Sequence, residues 1–176
     1  MIDVYDNYKA KKFPIDVMWA DIDYMDRWRD FTVASNISWD GLNDFVKELH
    51  WEKRYFVPIL DAGIAIVPDS SYESLTEGLQ QNMFIKSGSK TRAAMDKTSP
   101  VKNLNGTLYG WVWPGYAAFP DWSHPNASNY WISHLTKFHK ELEFDGLWID
   151  MNEIANFCTG PCIPEDTLPF GESIKS

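Results

Sequence analysis

Three aspartates in this sequence directly follow short apolar runs, and their placement is the first sign of chemistry. The runs and the acids that end them are 15–20 with Asp21, 55–60 with Asp61 and 147–149 with Asp150. One such aspartate is commonly a helix cap or a turn residue, but three placed alike predict an acid-lined pocket. Carboxylate clusters serve glycoside hydrolysis, where retaining enzymes hold two carboxyls about 5 Å apart. They also serve metal-dependent hydrolysis and phosphoryl transfer.

Helical patterns lie between these runs and set the expected fold class. Leu42, Phe45, Val46 and Leu49 form one apolar helix face, with Ser38 and Asp40 as candidate caps. A second helix is predicted over 129–142, capped by Ser128, with an apolar face formed by Ile132, Leu135, Phe138 and Leu142. Alternating strands and helices predict an α/β fold with parallel strands, whose ligands bind at the strands' carboxyl ends. Residues 62–125 are rich in Gly, Pro and Ser and are interpreted as an inserted loop region with structure of its own.

Composition argues against several classes of partner. The formal charge is −9, with 25 acidic residues against 16 basic ones, which disfavours nucleic acid as a partner. No apolar run is long enough to span a membrane, and the first residues lack the pattern of a signal peptide. The four histidines and two cysteines form no zinc pattern, so neither a metal nor a cofactor is predicted.

Two features bear on the cellular compartment. Asn36, Asn105 and Asn126 begin N-x-Ser/Thr sequons, which matter only in a protein that enters a secretory pathway. Cys158 and Cys162 form a Cys-x3-Cys pattern that allows a local disulfide in an oxidising compartment. The location stays open, with a secreted, lysosomal or vacuolar protein favoured.

The segment 144–153, Phe-Asp-Gly-Leu-Trp-Ile-Asp-Met-Asn-Glu, closely resembles the nucleophile signature of the α-glucosidases of glycoside hydrolase family 31. The resemblance implies that Asp150 is the nucleophile that attacks the anomeric carbon of the sugar. Glu153 could be read as a second carboxylate, but it is interpreted as a supporting residue that fixes the geometry around Asp150. Asp61 is assigned a supporting role as well, since carboxylates at strand ends often hold loops in place.

Further segments resemble the same family in the same order along the chain. Residues 16–25 are similar to the second barrel strand, residues 58–64 to the third, and residues 112–121 to a stretch before the fourth. The matching positions imply the following substrate-binding residues: Asp21, Ile22, Ile64, Trp113, Trp148, Met151 and Phe157. Ala62 stands where the family commonly has Pro, and Ile154-Ala155 where it commonly has Pro-Ser. These departures affect the shape of loops rather than the chemistry.

The resemblance implies a partial TIM (β/α)8 barrel that covers about strands 2–4. It implies release of terminal α-linked glucose from maltose or an oligosaccharide, with retention of configuration. The family's acid/base, an Arg and a His lie on later strands, so sequence outside this chain would supply them and the rest of the barrel. We therefore expect the isolated chain to be inactive and prone to aggregation, because three strands leave open edges.

Four alternatives remain open at this level. The first is an α-xylosidase or a transglycosylase of the same family. The second is a processing glucosidase of the endoplasmic reticulum, which is less favoured because Ile149 stands where such enzymes tend to carry Asn. The third is a non-catalytic fragment or sugar-binding remnant, and the fourth, a distant one, is a metal-dependent hydrolase.

Overall fold

The computed structural model describes residues 1–35, 39–88 and 104–158, which separate into two compact units. The first contains residues 1–61 and 133–150, and the second the remaining described residues. The helices are α1 (Ile2–Ala10), α2 (Leu42–Trp51), α3 (Glu73–Gln80) and α4 (Ala127–Glu141). The strands are β1 (Val17–Ala20), β2 (Tyr55–Leu60), β3 (Ile64–Ala65), β4 (Tyr109–Val112), β5 (Gly115–Ala118) and β6 (Trp148–Ile149). Short 3₁₀ turns span Ile22–Tyr24 and Asp26–Trp28.

The first unit is built on a parallel sheet in which β2 lies between β1 and β6. All three strands predicted from the apolar runs are present, and the α/β class is confirmed. Pro58 lies opposite Ala20 of β1, whereas β6 pairs with β2 only at Ile59 and Leu60. The proline, which lacks a donor N–H, therefore sits where β2 has only one paired neighbour.

One face of this sheet is covered by helices. Met18, Ala20 and Phe56 point into a hydrophobic core that also receives the predicted apolar face of α2. The predicted cap of α2 is wrong in part: Gly41, in the left-handed region, occupies the N-cap position without a side-chain cap. Ser38 lies outside the described residues.

The buried stripe of α4 differs from the predicted one. Helix α4 begins at Ala127, so Ser128 lies inside it rather than capping it. Ile132 is 58% exposed, and the buried positions are Ala127, Tyr130, His134, Phe138 and Leu142. The prediction considered only aliphatic residues and Phe, whereas the buried face of α4 also contains Tyr130 and His134.

The other face of the parallel sheet is open in this unit. Val17, Trp19 and Tyr55, which alternate with the buried strand residues, are 42%, 58% and 54% exposed. Ile149 on the edge strand β6 is 70% exposed. An apolar face of this kind is the face that a closed barrel turns inward.

The second unit contains α3 and an antiparallel sheet in the order β3-β5-β4. Its small cores include Met83 with Tyr130, and Val112 with Phe119. Most of residues 62–125, which sequence predicts to be an inserted region, belong to this unit. Within the described ranges, no helix of either unit combines the length and apolar character of a membrane span.

Gly78 on α3 gives a test of packing in the second unit. A Cβ at this position would overlap the ring of Phe84, which is 1% exposed. Alanine favours a helix over glycine by about 1 kcal/mol, but overpacking a core costs about 1–3 kcal/mol. We therefore expect Gly78→Ala to lower the free energy of unfolding, measured by urea titration of tryptophan fluorescence in the complete barrel protein.

Gly88→Ala is the matched control, because a Cβ there meets no atom of the described residues within 4 Å. Its free energy of unfolding should stay close to that of the original chain. A stabilised Gly78→Ala variant would show that Phe84 does not pack against α3 as described.

Candidate functional site

The parallel sheet brings the three predicted acids to one edge of the first unit. Asp21, Asp61 and Asp150 follow β1, β2 and β6 directly. Leu60 pairs with Ile149, so Asp61 and Asp150 continue the register side by side, and the Asp150 N–H donates to the Leu60 carbonyl at 3.4 Å. Adjacent strands lie about 4.8 Å apart, so carboxyls at matched positions of neighbouring strands become close neighbours.

Asp61 occupies the central position of this group and is the most buried of the three acids. It is 5% exposed, and its Oδ1 atom has no hydrogen-bond partner in the described part of the chain. Burial, followed by the charges of Asp150 and Asp21, raises the pKa of Asp61 to about 7. Asp61 is therefore protonated and neutral in a mildly acidic solution.

A second buried acid, Asp30, contacts the backbone of Asp61. The sequence analysis did not identify it. Asp30 is 1% exposed, and its Oδ1 accepts a hydrogen bond of 2.9 Å from the Asp61 N–H. Burial, and then the charge of Asp61, raises the pKa of Asp30 well above its ordinary value. Tyr24 supports the same strand end, because its buried hydroxyl donates to the Ile59 carbonyl at 2.7 Å.

The segment that supplies Tyr24 and Asp30 is held in place by its own hydrogen bonds. The Asp26 N–H donates to Thr32 Oγ1 at 3.0 Å, and the Ala34 N–H donates to the Tyr24 carbonyl at 2.8 Å. Asp26 also forms an ion pair with Arg29. This loop between β1 and α2 thus fixes the carboxyl end of β2 from one side.

Asp21 and Ile22 begin this segment. Asp21 is exposed, and its Oδ1 accepts a hydrogen bond of 2.8 Å from the Ile22 N–H, which caps the first 3₁₀ turn. Asp21 therefore caps this turn, and it is also the residue that we predict to bind the sugar. Ile22 is half-buried and packs against the core of the first unit.

Trp148, predicted to line the pocket, contributes an aromatic surface at the same sheet. Its ring packs edge to face against Trp19, with 5.2 Å between the ring centroids. Trp19 lies on the open face of β1 and is 58% exposed. Sequence analysis treated Trp19 only as part of an apolar strand, and the period-2 alternation is the signal that could have found it.

In the second unit, Trp113 and Phe157 form a half-exposed aromatic pair. Their ring centroids are 5.0 Å apart in an edge-to-face arrangement. Asn156, which sequence analysis did not single out, accepts a hydrogen bond of 2.9 Å from the Trp111 N–H through Oδ1. The Phe157 N–H donates to the Trp111 carbonyl at 2.9 Å, so residues 156–157 are fixed on β4.

The remaining predicted residues of the second unit are placed differently from one another. Ile64 is fully buried in β3, and Met151 is 8% exposed in a small core with Val112 and Phe119. Met151 adopts a φ of 55°, a left-handed backbone that is costly for a side chain of its size and common near functional sites. Glu153 is exposed.

Cys158 closes the described part of this unit. It is 8% exposed. Cys162 lies outside the described residues, so the pairing of these two cysteines stays a prediction.

Comparisons with known proteins point to carbohydrate-active enzymes. The chain is 40% identical over 153 residues to an α-glucosidase of Hordeum vulgare, covering 85% of this chain and 16% of that protein. It is 36% identical over 168 residues to an α-glucosidase of Aspergillus niger, covering 92% of this chain and 15% of that protein. Among solved structures, a glucosidase II alpha subunit matches with a TM-score of 0.73 and 25% identity, over 95% of this chain and 16% of that chain. A family 31 α-glucosidase from Bacteroides thetaiotaomicron matches with a TM-score of 0.66 and 30% identity, over 95% and 25% of the two chains.

The buried Asp61 predicts a dependence of stability on pH. The folded chain holds the Asp61 proton up to a pH of about 7, whereas the unfolded chain releases it near the ordinary value of 3.8. Between these values the folded state binds more protons, so the contribution of Asp61 to the free energy of unfolding falls as pH rises. Urea titrations of the complete barrel protein at a pH of about 4 and about 7 measure this slope.

The Asp61→Asn variant should flatten the slope, because its amide does not titrate. Asp23→Asn, which changes an exposed acid in the neighbouring turn, is the control and should keep the slope of the original chain. Equal slopes in the Asp61→Asn variant and the original chain would contradict the assignment.

A comparison with family models agrees with these relatives over almost the whole chain. Residues 1–173 match the model described as the glycosyl hydrolases family 31 TIM-barrel domain. The chain spans only 15% to 16% of the length of the two relatives named above. The three parallel strands, the acids at their ends and this match lead to one conclusion: the chain belongs to the TIM-barrel domain of glycosyl hydrolase family 31.

Proposed function

We propose that this chain is part of the catalytic barrel of a retaining α-glucosidase and that Asp150 is its nucleophile. The observation that carries the proposal is the position of Asp150 at the carboxyl end of β6, in register with Asp61 on the central strand. Barrel enzymes place their reacting groups at this end of the strands. The names of the barley and Aspergillus niger relatives, both α-glucosidases, support the choice of substrate class.

In the proposed reaction, a carboxylate oxygen of Asp150 attacks the anomeric carbon of a terminal α-linked glucose. The bond from that carbon to the leaving oxygen breaks, and an acid/base residue protonates the leaving group. The family resemblance assigns this acid/base to a later strand, outside these 176 residues. Water then cleaves the glucosyl ester of Asp150, so that two inversions give net retention.

Asp21 and Asp61 have different electrostatic roles in this proposal, one as a charged carboxylate and the other as a neutral acid. The exposed carboxylate of Asp21 accepts hydrogen bonds from sugar hydroxyls and stabilises the positive charge that develops on the sugar. Asp61 is neutral in mildly acidic solution, because its pKa is raised to about 7. A neutral Asp61 avoids a third negative charge next to Asp150 and can donate a hydrogen bond, while Asp30 holds its backbone.

Each unit, taken by itself, carries aromatic side chains that suit a sugar ring. Trp148 and Trp19 lie on the first unit, and Trp113 and Phe157 on the second. Flat rings of this kind pack against the apolar faces of pyranose rings. We assign Trp148, Trp113 and Phe157 to substrate binding because they match lining positions of the family.

The test of the nucleophile uses the complete barrel protein that contains this chain. We expect Asp150→Asn to lower kcat/KM for maltose by about a thousandfold or more, because an amide forms no glycosyl ester. Asp6→Asn, which changes an exposed acid on α1, should leave kcat/KM unchanged. Full activity of the Asp150→Asn variant would remove Asp150 from the nucleophile role.

Assays of the same complete protein on different glycosides distinguish the related activities. An α-xylosidase would cleave xylosides in preference to glucosides, and a transglycosylase would transfer glucose to a sugar acceptor instead of water. We expect the highest kcat/KM on α-glucosides and free glucose as the main product. Binding of a glucose-like iminosugar without turnover of any glycoside would instead support a sugar-binding remnant.

A further inference from the structure

A tight turn at residues 104–107 carries a feature that the glycosidase reaction does not use. The Thr107 N–H donates to the Leu104 carbonyl at 2.9 Å, which closes the turn. Asn105 and Gly106 at its centre have φ values of 51° and 70°. Two central residues with positive φ define a type I′ turn, for which Asn-Gly is the preferred pair. The backbone of the turn is therefore sufficient to explain why Asn and Gly occupy positions 105 and 106.

The turn does not account for the hydroxyl of Thr107. Thr107 is 3% exposed, and its Oγ1 has no hydrogen-bond partner within the described residues. The residue joins the second unit through backbone pairing with Lys86. A buried hydroxyl without a partner costs free energy on folding, and valine would fill the same space without that cost. Folding alone thus favours a residue other than threonine at this position.

Thr107 completes the sequon Asn105-Gly106-Thr107, in which the hydroxyl two residues after the asparagine is required for N-glycosylation. We propose that Asn105 is an N-glycosylation site and that the Thr107 hydroxyl serves this modification while the chain is still unfolded. The donor is an oligosaccharide carried on a lipid pyrophosphate. The Asn105 Nδ2 atom forms a bond to C1 of the first sugar, the bond from C1 to the phosphate oxygen breaks, and the amide releases one proton.

The folded structure accommodates a glycan at Asn105. The side chain is exposed at the tip of the turn, and its carboxamide makes no hydrogen bond within the described residues. Lys86 Nζ contacts the residue only at the backbone carbonyl, at 3.2 Å. A sugar attached to Nδ2 would start from an exposed side chain and would break no hydrogen bond made by the described residues of the second unit.

Asn126, which begins another sequon, has a different environment. Its Nδ2 donates to Gln81 Oε1 at 2.9 Å, and its Oδ1 accepts from Asn129 Nδ2 at 2.8 Å. Asn126 is half-buried directly before α4, and its carbonyl accepts from the Tyr130 N–H at 3.1 Å. The structure therefore explains Asn126 by its contacts, and a glycan on Nδ2 would disturb the bond to Gln81.

The test uses the protein purified from its natural source. Peptides are treated in heavy-oxygen water with a peptide N-glycanase, an amidase that hydrolyses the side-chain amide of glycosylated Asn to give Asp, and are then sequenced by mass spectrometry. We expect the heavy-oxygen label at Asn105. An unmodified Asn105 would overturn the proposal, whether or not Asn126 carries the label, and a protein that never enters the secretory pathway would give that same result.

Two variants expressed in the same cells isolate the role of the hydroxyl. Thr107→Ser keeps the sequon and should keep the glycan, whereas Thr107→Val should lose it completely. After enzymatic removal of the glycan, Thr107→Val should unfold at the same temperature as the original protein or at a higher one. A lower unfolding temperature for Thr107→Val would show that the fold uses the hydroxyl, and that result would overturn the argument. These measurements do not depend on glycosidase activity. They therefore test the glycosylation proposal independently of the proposed function.

Discussion

The parallel pairing of β2 with β6 is the constraint on which the arrangement of the acids depends. Only Ile59 with Trp148 and Leu60 with Ile149 form regular pairs, so the register rests on a short contact. Asp145 reinforces it at the entry to β6, because its carboxylate accepts from the Phe56 N–H at 2.7 Å and its N–H donates to the Phe56 carbonyl at 2.9 Å. A slip of one residue would turn Asp150 to the opposite face of the sheet. The Asp145 of the signature thus positions the Asp150 of the same signature.

The carboxyl end of the central strand β2 carries buried acids that oppose folding, and separate hydrogen bonds hold it in place. Asp61 and Asp30 are both buried acids: Asp30 accepts a hydrogen bond from the Asp61 N–H, whereas Asp61 Oδ1 has no hydrogen-bond partner among the described residues. Such groups oppose folding in their charged forms. Buried acids with raised pKa values, set beside other carboxylates at the ends of parallel strands, are typical of reaction sites. The supports from Tyr24 and Asp30 come from a single loop, so that loop is as necessary to the acids as the strands are.

Sequence predicted the parts of this fold that depend on local pattern. The strands at 17–20, 55–60 and 148–149 and the face of α2 follow from runs and helical spacing. The stripe of α4 was misplaced because Tyr130 and His134 are buried by packing that a count of aliphatic residues does not register. Glycine at the cap of α2 was missed because a left-handed backbone can replace a side-chain cap.

The supporting residues of the site were beyond prediction from one sequence. Asp30 and Asn156 are polar residues in loops, where exposure is the ordinary expectation. Their partners, the N–H groups of Asp61 and Trp111, lie 31 and 45 positions away in the chain. Only the fold brings these groups together. The signature around Asp150, by contrast, is contiguous and was readable without the structure.

The most direct test of the account is chemical capture of the nucleophile in the complete barrel protein. An activated fluoro-sugar analogue of α-glucose slows hydrolysis of the glycosyl ester and leaves the sugar on the residue that attacked it. The account predicts that mass spectrometry of the digested protein finds the added sugar on Asp150. A label on any other carboxylate, including Asp61 or Glu153, in a protein that the analogue inactivates would contradict the account.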